Sequence, residues 1–243
     1  SLRKRTDQQR QPGNDTRGKV RRKVMKTTMI VCETLKDEFL FLYKEMGLKA
    51  DVKWIESGLH NYTQKLHDRL QQAIDEITEC GRVILVFGRC GDSISNLKNG
   101  NFEMIVPKAE DCISLLMGSD ERRRDYSREH AAYYLTDGWI RGERNIWMEY
   151  LYSVEKYGEA TAKNIAKMMY CNYRTLALLD TGINPISQLM EKTREIEETL
   201  ELERKVVPAE LTYIRELLTG PWDTTRYEIV PPYGIVGRYG ENV

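Results

Sequence analysis

At 243 residues, with 41% hydrophobic and 30% charged side chains, the chain has an ordinary globular make-up and the length of one large α/β domain rather than two. No apolar run approaches the roughly 20 residues that span a bilayer as a helix, and no signal-like apolar stretch opens the sequence, so no membrane role is expected. Five cysteines without an export signal read as reduced thiols of a cytoplasmic protein, not as a disulfide framework.

Lysine plus arginine equals aspartate plus glutamate at 37 each, yet Ser1–Lys26 carries ten basic side chains against two acidic ones. Without apolar periodicity, residues 1–28 read as a disordered basic tail. Such a tail suits a nucleic-acid arm, but no basic pattern continues it, so nucleic acid is not the expected partner. The preferred reading is a stretch foreign to the native protein, with Met25 and Met29 standing at its end. Residues 29–243 then form a single α/β domain.

Along that domain, MIVCE (Met29–Glu33) is a first strand, followed by a helix over Lys36–Met46 that stops at Gly47. VKWIE (Val52–Glu56) is a second strand, and Tyr62–Glu79 a helix with Leu66, Leu70, Ile74 and Ile77 on one face. RVILVFG (Arg82–Gly88) is a centre strand by its continuous apolar run. FEMIVP (Phe102–Pro107) and AAYYLT (Ala131–Thr136) are a fourth and a fifth strand. A helical region over Trp139–Tyr170, broken near Gly158, leads to TLALLD (Thr175–Asp180), a sixth strand. A charged helix over Ile186–Arg204, a helix over Ala209–Leu218 and an extended YEIVPP segment close the chain. Alternating strands and helices predict a doubly wound, mostly parallel sheet of about six strands with helices on both faces.

In such a sheet, ligands bind beyond the carboxyl ends of the strands, near the point where strand order reverses. Cys32, Cys90 and Cys112 all stand in loops of that kind. Thiolates are the soft ligands of zinc and iron–sulfur clusters, and His60, in the loop after the second strand, can serve as fourth ligand or as an acid–base group. The competing reading makes each cysteine a small buried hydrophobe, and His60 a surface residue near a helix start. Cys80 and Cys171, at helix ends, read as structural. The loop GRCGDS offers Gly88, Gly91 and Ser93 to an anion at a helix start, though it has neither P-loop nor GxGxxG spacing, and a tight strand-to-helix turn explains it equally well. Asp111 can transfer a proton, orient a ligand or cap a helix. Trp139 can wall a planar ligand or anchor the core. Val230–Gly237 (VPPYGIVG) is a rigid flap or a surface clamp.

Taken together, IVCETL, GLHNYTQKLHDRL, GRCG, VPKAEDCISLLMGS, YYLTDGW, NYRTLALLDTG and WDTTRYEIVPPYG resemble the family known as domain of unknown function 1638, over about Met29 to Tyr233. The resemblance matches that family's conserved-type CE, GxCG and DC cysteines to Cys32, Cys90 and Cys112, and its GLHNY histidine to His60. It implies a companion of corrinoid-dependent methyltransferase systems, with a corrinoid protein or methyltransferase as partner. Arg89 stands where that pattern has an apolar residue and puts a charge near the site. The DxHxxG pattern of base-off corrinoid-binding domains is absent from the sequence. The expected function is therefore a metal- or iron–sulfur-binding protein assisting corrinoid-linked methyl transfer, its cofactor zinc or a cluster. The alternatives are a metal-independent small-molecule enzyme with Cys90 as nucleophile and His60 as base, or a non-catalytic binding or chaperone module for the methyltransferase partner.

Overall fold

A computed structural model describes residues 26–142 and 144–238. The basic tail lies outside the described residues up to residue 25, whereas Thr27 and Thr28 already belong to the first strand. The architecture is α/β, and among the described residues eight strands are divided between two sheets.

The first sheet contains β1 (Thr27–Cys32), β2 (Asp51–Ile55), β3 (Arg82–Val86), β4 (Glu103–Pro107) and β8 (Tyr227–Val230), in the order β2-β1-β3-β4-β8. β1 pairs in parallel with β2 and β3, and β3 with β4, while β8 closes the edge antiparallel to β4. The apolar run of β3 explains its place: Val83 to Val86 are all buried, as a strand covered on both faces requires. Strand order reverses between β1 and β3, where the chain leaves β1 for β2 on one side and returns to β3 on the other.

Helices α1 (Lys36–Glu45) and α2 (Thr63–Asp75) form the β1–β2 and β2–β3 crossovers of this sheet, and α3 (Cys112–Met117) follows β4. Helix α2 buries Leu66, Leu70 and Ile74 as read from their spacing, with Ala73 beside them, while Ile77 lies beyond its end and is only half-buried. Helix α4 (Asp120–His130) follows, capped by the Ser119 side chain with Asp120 and Glu121 in its first turn.

The second sheet contains β5 (Ala132–Leu135), β6 (Thr175–Asp180) and β7 (Glu203–Pro208), all parallel. Between β5 and β6 lie α5 (Asp137–Ile140), α6 (Ile146–Tyr157) and α7 (Glu159–Met169). The break at Gly158 is where the sequence puts it, and the glycine takes φ +80° there. Alternation along β6 splits its side chains between two cores. Ala177 and Leu179 join the core of the first sheet, while Leu176 and Leu178 pack with Leu135, Ile146, Leu189 and Ile196.

Several expectations need correction. The six strands do not form one sheet, because β5 and β6 pair with each other and not with β4. The stretch read as one charged helix over Ile186–Arg204 is α8 (Ile186–Lys192) and α9 (Arg194–Leu200), ended by Glu201 at φ +56° and followed by β7. GRCGDS enters no helix; it runs through turns to an isolated bridge at Lys98. The segment Val230–Gly237 is a clamp and lines no part of the cavity described below. Its carbonyls at Val236 and Gly234 accept from Asn96 N–H and Asn99 N–H, at 2.9 and 3.3 Å, holding the β3–β4 loop. Helix α10 (Thr212–Thr219) packs on β3 and α3. Among the described residues, no helix is long and apolar enough to cross a membrane.

Candidate functional site

A cavity of about 1070 Å³ opens at the strand-order reversal. Cys32 ends β1, Phe87 and Cys90 follow β3, and Asp111 and Cys112 follow β4; all five line it. It is at the upper end of the range typical for small-molecule sites.

The loops after β3 and β4 are joined by their backbones. Arg89 N–H donates to the Ala109 carbonyl at 2.9 Å and Cys90 N–H to the Glu110 carbonyl at 2.8 Å. Gly88 permits this approach, since a Cβ there would stand 2.1 Å from the Asp111 carbonyl carbon. Cys112 thereby lines the cavity beside Cys90, and Cys32 and Cys90 both act on its titration. The thiols form a row with Cys112 in the middle.

Cys32 and Cys112 are 6% and 3% exposed, whereas Cys90 is half-buried. The Thr34 hydroxyl is 2.9 Å from Cys32 Sγ. The bond to Cys112, then burial, holds the Cys32 thiol well above the usual thiol range. For Cys112 the bond with Cys32 acts downward, but the bond with Cys90 and burial outweigh it, and its thiol too is raised well above that range. Both buried sulfurs are therefore protonated at neutral pH unless a cation displaces the proton.

His60 and Trp139 line the cavity together, their rings edge to face at 5.7 Å. Burial lowers the His60 pKa, with Asp111 and Glu149 pulling the other way, so His60 is mainly neutral at pH 7 and able to act as a ligand or base. Asp111 has two duties: it accepts from Ser114 N–H at 2.8 Å, capping α3, and pairs with the Arg123 guanidinium. Asp111 thus caps α3 and also lines the cavity.

Of the glycine-rich loop, Gly91 lines the cavity and Gly88 and Ser93 do not. The Ser93 hydroxyl donates to the Arg89 carbonyl at 3.1 Å. The anion cradle expected there is not built, since no helix starts in the loop and the Arg89 and Cys90 N–H groups are already committed. The charge of Arg89 is balanced by Glu228 of β8 at 2.8 Å, with the Gly237 carbonyl at 2.7 Å. Asp180 lies away from the cavity and accepts from Gly182 N–H at 3.0 Å. Cys80 is half-buried and Cys171 exposed, so the structural reading of Cys171 fails. His67 places Nδ1 3.0 Å from the Ser93 carbonyl.

The opposite wall was not foreseen. It comes from Arg123 and Ser127 of α4, from Tyr133 and Tyr134 of β5, and from Asn172 and Tyr173 just before β6. These stand at the amino ends of β5 and β6, not at the carboxyl ends where the sequence reading looked. The charged run from Asp120 to His130, with Ser119 ahead of it, carried the signal of a capped helix that would have found Arg123.

Among the described residues, no group of three or more His, Cys, Asp or Glu is already gathered about a point that could hold a metal ion. The donor chemistry nevertheless fits a thiophilic metal or cluster: three thiols in one row, with a neutral histidine in the same cavity.

A family model described as "Protein of unknown function (DUF1638)" matches residues 54–218. Cys90, Cys112 and His60 lie inside that span, and Cys32 lies before it. Comparison with curated proteins and with solved structures gave no match.

Proposed function

From the premise that the chain belongs to the DUF1638 family, we propose that it is a metal- or iron–sulfur-binding protein that assists corrinoid-dependent methyl transfer. Cys32, Cys90 and Cys112 are the ligands in this reading, with His60 as a fourth ligand or a nearby acid–base group. The observation that carries it is the set of three thiols, brought from the end of β1, the turn after β3 and the start of α3 to one cavity. The one-carbon role rests on the resemblance set out above, and the partner would be a corrinoid protein or its methyltransferase.

Zinc bound there would supply Lewis acidity, and a cluster would supply electron transfer. The chain's own residues prepare the place. Thr34 directs its hydroxyl at Cys32 and Arg123 fixes Asp111 one residue before Cys112. Because Cys90 is half-buried on a turn while Cys32 and Cys112 are packed in the core, Cys90 is the ligand with room to swing toward an incoming metal. The cavity beyond the thiols leaves space for a small-molecule ligand beside the metal.

The test is metal analysis with an absorption spectrum on protein purified without oxygen. Broad visible absorption with iron and sulfide marks a cluster, and stoichiometric zinc with no visible band marks a zinc site. Protein that holds neither, and takes up neither on reconstitution, overturns the proposal.

A further inference from the structure

The three cavity thiols are unevenly exposed. Both Cys90 and Cys112 line the cavity, but Cys90 is half-buried whereas Cys112 is 3% exposed. The two are held side by side by the backbone hydrogen bonds from Arg89 and Cys90 to Ala109 and Glu110, the latter two residues before Cys112. Cys90 sits in the left-handed region at φ +43°, followed by Gly91 at +68° and Asp92 at +67°. The turn so formed sets an open thiol and a sheltered one on the lining of one cavity, in loops joined by their backbones.

We propose that Cys90 and Cys112 form a peroxide-reactive dithiol, in which Cys90 receives oxygen from a hydroperoxide and Cys112 resolves it as a disulfide. In the first step the Cys90 sulfur attacks the terminal peroxide oxygen. The O–O bond breaks, an alcohol or water leaves with the thiol proton, and Cys90 becomes a sulfenic acid. In the second step the Cys112 sulfur attacks the Cys90 sulfur. The S–O bond breaks and water leaves with the Cys112 proton, so that the two thiols lose two electrons and the hydroperoxide gains them. The inference shares the convergence of thiols with the function proposed above but requires no metal. A metal on the same sulfurs would block it, so an empty site is the reactive one.

The experiment uses the full chain, reduced, stripped of metal with a chelator and treated with hydrogen peroxide. Non-reduced peptide mapping follows, and the metal content of the untreated protein is measured separately. A linked Cys90–Cys112 peptide is expected, with Cys80 and Cys171 still open to alkylation. In Cys112→Ser a sulfenic acid on Cys90, trapped by dimedone, should replace the disulfide. In Cys90→Ser, a change at a half-buried position, peroxide consumption should fall by about ten-fold or more. Linkage of Cys32 to Cys112 with Cys90 still free overturns the proposal, as does oxidation confined to Cys171 or an undiminished rate in Cys90→Ser. Protein that holds no metal and takes up none on reconstitution, yet still forms the disulfide, would defeat the metal reading alone. Metal-loaded protein that forms none after stripping would defeat this inference alone.

Discussion

Glu38 is 2% exposed, and its Oε2 atom is buried without a hydrogen-bond partner. Burial raises its pKa from 4.5 to about 7. Folding therefore takes up a proton between those values, and the stability that the raised pKa confers is full below pH 4.5 and lost as pH rises through 7. Complete ionisation removes about 3 kcal/mol. Glu38→Gln stays neutral throughout, so its stability relative to the native chain should climb by about that amount between pH 5 and pH 8 in denaturant titrations. A stability difference independent of pH would contradict the assignment. Nothing in the sequence announces Glu38, which looks like any acidic residue in a first helical turn. The cysteines were legible one by one, because each follows an apolar run. Their order in the row was not, because it depends on which loops abut.

That abutment is a property of two elements, the loops after β3 and β4, and Gly88 is its condition. An alanine Cβ at Gly88 would meet the Asp111 backbone at distances from 2.1 Å, and backbone atoms cannot rotate out of the way. Gly88→Ala should therefore cost about 1–3 kcal/mol or more and separate Cys90 from Cys112. The combined readout is a lower melting temperature together with lost metal uptake in protein that remains folded at low temperature. A variant with native stability and native uptake would show that the loops need not touch. At this scale the sequence was partly legible. The strands of the first sheet and the break at Gly158 follow from local pattern. β7 did not, because ERKVVP buries only Val207 fully and reads as the tail of the charged helix before it. Tyr133, Tyr134 and Tyr173 were missed for a related reason: a second sheet brings the amino ends of its strands to the cavity, and no periodicity within a strand specifies that.

In the whole molecule one core is common to the two sheets. Ala132, Ala177, Leu179 and Val207 of the second sheet pack in the cluster built by β1, β3 and β4, while Leu135, Leu176 and Leu178 belong to a second cluster. Because the first core is shared, the two sheets should unfold in one cooperative step. Coincident thermal transitions by near- and far-ultraviolet circular dichroism would bear this out, and two resolved transitions would mean two units. The alternation of strand and helix was enough to read the α/β class. The division into two sheets was hidden because pairing between distant strands leaves no local signature. The central claim spans the molecule too, since the three thiols belong to one site only if the fold holds their loops together. Its most direct measurement is metal stoichiometry after anaerobic reconstitution of the native chain and of single serine variants. The prediction is that Cys32→Ser, Cys90→Ser and Cys112→Ser each lose the metal or cluster, while Cys80→Ser and Cys171→Ser keep it. Full metal content in all three cavity variants would contradict it.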